Sequence, residues 1–81
     1  MAEVLTKRRY HITDKELELL PLLCLPYKII GQRIGVDSGT VRMRTTRLLA
    51  RFKVENRMAL IVKLLRLGLV DINQLVYREF L

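Results

Sequence analysis

Residues 27–52 read YKIIGQRIGVDSGTVRMRTTRLLARF, and they are the most informative part of the chain. Its spacing predicts two helices that cross at a tight turn, with apolar Val36 and Val41 facing back into the crossing. Gly31 lets the helices approach closely, and Gly35 can adopt the positive φ that a short turn requires. The second helix of such a helix–turn–helix presents its outer face to a DNA major groove. An ordinary corner in a small helical bundle is the alternative interpretation.

Positive charge is concentrated on this stretch of the chain. The 81 residues carry a net charge of +7. Residues 28–57 contain eight basic and two acidic side chains, a net charge of +6, whereas residues 1–27 sum to zero and residues 58–81 to +1. Charge focused in this way attracts a polyanion and supplies the salt-dependent part of its binding. The distribution therefore favours a nucleic-acid partner over an ordinary helical corner.

A helical wheel divides the predicted second helix, residues 38–52, into three faces. The face expected to pack on the core holds Val41, Thr45, Leu48 and Phe52. The opposite face, expected to meet base edges, holds Gly39, Arg42, Met43 and Thr46. A third stripe, expected to follow the phosphates, holds Thr40, Arg44, Arg47 and Arg51. Asp37 precedes the helix and suits its N-cap.

Arg42 is the side chain of this helix best suited to reading a base. It can donate two hydrogen bonds to a guanine edge, and Met43 or Thr46 can contact a thymine methyl group. Any single arginine at such an interface is nevertheless more often a phosphate contact or a solvated charge than a base reader. The wheel alone therefore leaves these roles open.

Outside this helix, four segments combine helical spacing with helix start and stop signals. They run from Asp14 to a kink or break at Pro21, from Pro26 to about Ile34, from about Asn56 to Leu67, and from Ile72 to Phe80. Thr13 and Glu16 form a capping box for the first, Asp71 is the expected N-cap of the last, and Gly68 should stop the third. No period-two alternation suggests a sheet, so the sequence predicts an all-α fold.

Composition argues against several classes of protein. The apolar region 17–31 is interrupted by charged residues and prolines, so no membrane span is expected. The amino terminus lacks a cleavable signal pattern. The single cysteine, Cys24, is expected to be buried and reduced. The expected compartment is therefore the cytoplasm. His11 is the only histidine, and no catalytic constellation accompanies it. We therefore expect no enzymatic activity, no cofactor and no metal site.

Three blocks of the chain carry a resemblance to a known family. Residues 12–20 read ITDKELELL, residues 34–42 read IGVDSGTVR, and residues 48–57 read LLARFKVENR. They resemble the patterns LTxRExEVL, LxISxxTVK and IxxKLGVxNR of the LuxR/FixJ/GerE family of bacterial transcription regulators. The resemblance covers residues 12–68 and implies a four-helix domain whose third helix reads double-stranded DNA. The chain is similar to short, stand-alone members, with a C-terminal helical extension over residues 69–81.

The resemblance also implies roles for individual side chains. Carried over by position, the family's base contacts fall on Arg42, Met43 and Thr46. Together with the wheel, it predicts phosphate contacts at Lys28, Ser38, Thr40, Arg44, Arg47 and Arg51. The fourth helix of the family pairs two protomers. Here that helix carries two apolar rows, and the row assigned to the dimer interface is Leu60, Leu64 and Leu67. In the alternative, the C-terminal extension, residues 69–81, covers this row within a single monomer.

These observations predict a homodimeric, sequence-specific, DNA-binding regulator of transcription that recognises an inverted repeat. The alternative is a protein-interaction module that binds another regulator or RNA polymerase, with weak or no DNA binding. Residues 1–11 form a basic amino-terminal arm that is expected to be flexible. The arm is either a solvated tail or a segment that lies along the phosphates or in a minor groove.

Overall fold

The computed structural model describes residues 10–76, and this part of the chain is helical without strands. Its four α-helices are α1 (Asp14–Leu19), α2 (Tyr27–Ile34), α3 (Ser38–Phe52) and α4 (Arg57–Arg66). Two short 3₁₀ turns cover Leu20–Leu22 and Ile72–Gln74. The all-α prediction is therefore confirmed. No helix within residues 10–76 has the length and apolar character needed to cross a bilayer.

The first helix begins and ends as its sequence predicts. The Glu16 amide donates to Thr13 Oγ1 at 3.1 Å, and the Thr13 amide donates to Glu16 Oε1 at 3.0 Å, which completes the capping box. α1 ends at Leu19, and Pro21 lies in the 3₁₀ turn that follows. Proline is tolerated in the first turn of a helix because the amide that it lacks would have no partner there. Of the kink or break expected at Pro21, the structure shows the break, because the α-helix gives way to a 3₁₀ turn.

The crossing of α2 and α3 depends on two glycines, as predicted. Gly35 ends α2 with φ +79°, in the left-handed region, and its amide donates to the Gly31 carbonyl at 2.8 Å. The Val36 amide donates to the same carbonyl at 2.9 Å. A Cβ at Gly31 would overlap the Val36 carbonyl oxygen and lie 3.3 Å from the Asp37 carbonyl carbon. The tight turn therefore lies directly against the side of α2 where a side chain would project.

The core-facing stripe of α3 is also confirmed. The four residues assigned to it are all buried: Val41, Thr45, Leu48 and Phe52. Thr45 satisfies its hydroxyl by donating to the Val41 carbonyl at 2.9 Å, which lets a polar residue lie inside the core. The opposing walls of the core come from the other helices and the first 3₁₀ turn, chiefly Leu19, Leu20, Leu23, Ile30 and Leu60.

The assignment of Leu60 and Leu64 to a dimer interface is wrong. Leu60 is 0% exposed and Leu64 is 1% exposed, so both belong to the core of the single chain. Leu67, the third residue of the predicted interface, is half-buried. Met58 and Val62 instead face outwards, with 68% and 45% of their surface exposed. Ile61, which is 7% exposed, is buried as well, so the core takes residues from both apolar rows of α4. A wheel orders these residues around the helix, but it does not indicate which of them the rest of the domain covers.

The predicted helix Ile72 to Phe80 is only partly correct. Asp71 and Gln74 form a capping box, and the Asn73 amide donates to Asp71 Oδ1 at 2.8 Å. The backbone then becomes extended at Leu75, with φ −67° and ψ 128°, so the predicted helix at Leu75 and Val76 is wrong. The Val76 amide donates to the Pro21 carbonyl at 2.8 Å, and this long-range bond replaces the helical one. The last predicted helical residues, 77–80, lie outside the described residues.

Two other expectations need correction. Cys24 is exposed rather than buried, because it lies in the turn between the first 3₁₀ segment and α2. Tyr10, assigned to the flexible arm, stacks on Phe52 with ring centroids 4.6 Å apart and an interplanar angle of 23°. Tyr10 therefore belongs to the packed domain. The remainder of the predicted arm, residues 1–9, lies outside the described residues.

Candidate nucleic-acid interface

Hydrogen bonds hold α3 at both of its ends. Asp37 Oδ1 accepts from the Thr40 amide at 2.9 Å, as predicted for the N-cap. Hydrogen bonds from Thr40 lower the pKa of the Asp37 carboxyl below its ordinary value, which keeps a negative charge beside the positive end of the helix dipole. At the other end, Lys63 Nζ donates to the Phe52 carbonyl at 2.7 Å. The helix is therefore a fixed platform for the side chains on its outer face.

The three predicted base-contacting side chains lie together on this outer face. Arg42, Met43 and Thr46 are all exposed. Met43 has 48% of its surface exposed, and it is one of four large apolar side chains that are outward-facing within residues 10–76. An exposed methionine between two arginines supplies apolar contact area of the kind that meets thymine methyl groups. The face that could enter a groove thus combines charge, a hydroxyl and an apolar surface.

The predicted phosphate-contacting set divides into an exposed part and a part that contacts the rest of the domain. Lys28, Ser38 and Arg47 are exposed, whereas Thr40 and Arg44 are half-buried. Arg44 and Arg47 line a shallow depression between α1 and α3 that also contains residues from the start of α1, including Thr13, Lys15 and Glu16. Lys15 was not predicted to belong to the site. No spacing rule connects it with α3, so only the tertiary packing of α1 reveals its position.

Arg51 has a partner within the chain. Its Nη1 lies 2.6 Å from Glu16 Oε1 and 3.5 Å from the carbonyl oxygen of His11. Glu16 is only 7% exposed, and burial alone would raise the pKa of its carboxyl. Hydrogen bonds from Arg51 and Thr13 outweigh burial and lower that pKa below its ordinary value, so the carboxylate stays charged beside the guanidinium. The geometry therefore favours a structural role for Arg51, tying α3 to α1, over the predicted phosphate contact.

Tyr27 and Arg57 adjoin the outer face and were not predicted to do so. The Arg42 Cζ lies 5.9 Å from the centroid of the Tyr27 ring, and the Arg57 Cζ lies 4.6 Å from it. Arg57 Nη1 also donates to the Leu25 carbonyl at 2.7 Å. Tyr27 begins α2, Arg42 lies on α3, and Arg57 begins α4. One aromatic ring therefore links three helices at the edge of the candidate interface.

The exposed residues of α3 are Ser38, Gly39, Arg42, Met43, Thr46, Arg47 and Ala50, and none of them is acidic. Within residues 10–76, no group of three or more histidine, cysteine or acidic side chains is arranged to hold a metal ion. Comparison of the chain with protein-family models, with curated proteins and with solved structures gave no significant match. The geometry and charge of the site therefore carry the functional argument.

Proposed function

We propose that this protein binds double-stranded DNA sequence-specifically and regulates transcription, with α3 in the major groove. The observation that carries the proposal is the division of α3 into a fully buried face and an exposed face bearing Arg42, Met43, Thr46 and Arg47. A tight α2–α3 turn supports the outer face, and most of the net positive charge of the chain falls on residues 28–57. These are features of a helix–turn–helix that reads DNA, and we propose the LuxR type on the resemblance of its three blocks.

The proposed division of labour follows the position of each side chain. Arg42 donates to a guanine edge, while Met43 and Thr46 contact neighbouring base pairs. Lys28, Arg44 and Arg47 neutralise phosphates, and Ser38 and Thr40 supply shorter polar contacts at the start of α3. Arg51 is outside this set because Glu16 neutralises it. Nothing in the proposal requires a cofactor or catalysis.

A homodimer is proposed through the outward face of α4. Met58 and Val62 are exposed, and Val62 lines an open groove with Ala59, Lys63, Arg66 and Leu67. Apolar side chains exposed beside one another on a small domain are often covered by a partner. A two-fold contact there would place two copies of α3 on an inverted repeat, about one DNA turn apart.

The same apolar face supports a second candidate function. A helix of another regulator or of RNA polymerase could occupy the Val62 groove, and the chain would then act as a protein-interaction module with weak DNA binding. This candidate predicts that substitutions on the exposed face of α4 abolish binding of the partner protein, while substitutions on α3 have little effect on that binding. The DNA-binding proposal predicts that substitutions on the exposed face of α3 strongly weaken DNA binding.

The test is a selection from a random DNA pool followed by fluorescence anisotropy at several salt concentrations. We expect an enriched duplex to bind more tightly than a shuffled duplex of the same composition. Each neutralised phosphate contributes about 0.9 to the slope of log affinity against log salt concentration, so three basic contacts predict a slope of about −3 per protomer. Equal affinity for the enriched and shuffled duplexes, or no binding at low salt, would count against the proposal and favour the protein-interaction module.

A further inference from the structure

We infer that Tyr27 is a positioning residue, which holds the Arg42 guanidinium for base reading and thereby determines how sharply one base pair is recognised. The inference rests on the proposed DNA-binding function and goes beyond it, because Tyr27 is assigned no contact with DNA. It acts through Arg42. Its effect should therefore appear at the base pair that Arg42 reads, and not as an equal loss of affinity for every sequence.

The Tyr27 ring lies beside the Arg42 side chain, which would otherwise sample many rotamers. Tyr27 is half-buried at the start of α2. Arg57 contacts the ring with its Cζ 4.6 Å from the centroid, and Arg57 is itself held by the hydrogen bond from its Nη1 to the Leu25 carbonyl at 2.7 Å. Arg42 approaches the same ring at 5.9 Å, near the outer limit of about 6 Å for a favourable cation–π contact. The ring therefore restricts Arg42 without locking it.

Such a contact suits an arginine that reads bases. Arginine has many rotamers, and ordering them on binding reduces affinity. A guanidinium held against an aromatic ring is attracted through its charge, and its N–H groups remain available to donate to the two acceptors of a guanine edge. Because only the aligned bidentate geometry distinguishes guanine from other bases, loss of alignment should weaken recognition at that position first.

The experiment compares single-base preferences of the full chain and its variants. The probe is the duplex enriched by the wild-type protein, together with every single-base variant of its half-site. The proteins are wild type, Tyr27→Leu, Tyr27→Phe, Arg42→Ala and the double variant Tyr27→Leu/Arg42→Ala. Arg42→Ala locates the base pair that Arg42 reads. Circular dichroism melting checks that each variant folds, and Tyr27→Met replaces Tyr27→Leu if the latter does not.

We expect Tyr27→Leu to reduce the preference at the Arg42 position by about two- to fivefold, the range expected for one exposed cation–π contact. Preferences at other positions and affinity for shuffled DNA should stay near the wild-type values. Tyr27→Phe keeps the ring and should keep the preference. In the Arg42→Ala background, Tyr27→Leu should have no further effect on discrimination, because the side chain that it positions is gone.

The outcomes separate failure of the inference from failure of the proposed function. If the wild-type protein enriches no sequence, the proposed base-reading function itself fails. If it enriches a sequence but Arg42→Ala leaves every preference unchanged, Arg42 reads no base and the inference about Tyr27 fails. If Arg42→Ala removes one preference and Tyr27→Leu leaves it intact, Tyr27 does not position Arg42. Equal weakening by Tyr27→Leu at all positions, persisting in the Arg42→Ala background, would identify a purely structural ring and also overturn the inference.

Discussion

Replacing Gly31 with alanine tests whether the α2–α3 turn depends on close backbone approach. A Cβ at this position would overlap the Val36 carbonyl oxygen and lie 3.3 Å from the Asp37 carbonyl carbon. Both atoms belong to backbone. They are held there because the Val36 and Gly35 amides bond to the Gly31 carbonyl at 2.9 and 2.8 Å. Neither atom can move aside as the end of a flexible side chain would.

The expected magnitude follows from two opposing effects. Alanine in a helix interior is favoured over glycine by about 1 kcal/mol. Overpacking a rigid site costs about 1–3 kcal/mol, and overlap with backbone belongs near the upper end of that range. The difference predicts that Gly31→Ala lowers the free energy of unfolding by about 2 kcal/mol. For a domain of this size, such a loss lowers Tm by roughly 8–16 °C.

Gly39→Ala is the matched control. Gly39 also lies in a helix, but a Cβ there would come only within 3.9 Å of Asp37 Oδ2, which is an ordinary contact. Because the site is near the start of α3, we expect a gain of about 0.5 kcal/mol from helix propensity. Thermal and urea unfolding, followed by circular dichroism, measure both variants. A Gly31→Ala protein as stable as Gly39→Ala would refute the close approach.

Three further predictions concern the interface, the ion pair and the dimer. Arg42→Ala should weaken binding of the enriched duplex by about 1–3 kcal/mol and relax one position, whereas Arg47→Ala should weaken all duplexes alike and flatten the salt slope by about one unit, both measured by anisotropy titration. Glu16→Gln should lower the free energy of unfolding by about 1–2 kcal/mol at neutral pH, because it removes a charged partner of Arg51. Since the pKa of Glu16 is lowered in the folded protein, Glu16 adds to the free energy of unfolding above the ordinary pKa of 4.5, and this contribution is lost as the pH falls through the folded pKa. The stability of Glu16→Gln should lack this dependence on pH. Val62→Asp should shift a wild-type dimer to monomer in analytical ultracentrifugation without unfolding it, and a wild-type monomer at high micromolar concentration would exclude the dimer.

Local signals predicted the ends of the helices well. The predicted caps at Thr13, Asp37 and Asp71 each accept a hydrogen bond from an amide two or three residues ahead, and so does Asn56, which was expected only as the approximate start of α4. Such interactions depend on nearby residues alone, so the sequence contains all the information needed to place them. The buried face of α3 was predicted for the same reason, because one helix has one period and this one has a single apolar stripe.

Contacts between distant parts of the chain were not predictable in this way. Glu16 and Arg51 are 35 residues apart, and the capping box already gave Glu16 a role, so nothing indicated a second partner. On α4, apolar residues extend around much of the helix, and only packing against the rest of the domain decided that Leu60 lies inside and Met58 outside. Leu75 is extended, and the neighbouring Val76 amide bonds to the Pro21 carbonyl, 55 residues away in the sequence, where a helix would need a local bond.

The internal contacts also change how the basic charge should be interpreted. Residues 28–57 contain eight basic side chains, and if all contacted phosphates they would give a salt slope of about −7. Arg51 is neutralised by Glu16, and Arg57 binds the Leu25 carbonyl and lies over the Tyr27 ring, so neither is a simple surface charge. The charge that attracts a polyanion at long range is unaltered by these contacts, because it depends on the sum over the surface. Of the remaining six basic side chains, only Lys28, Arg44 and Arg47 are assigned to phosphates, and these three contacts give the shallower slope of about −3 per protomer.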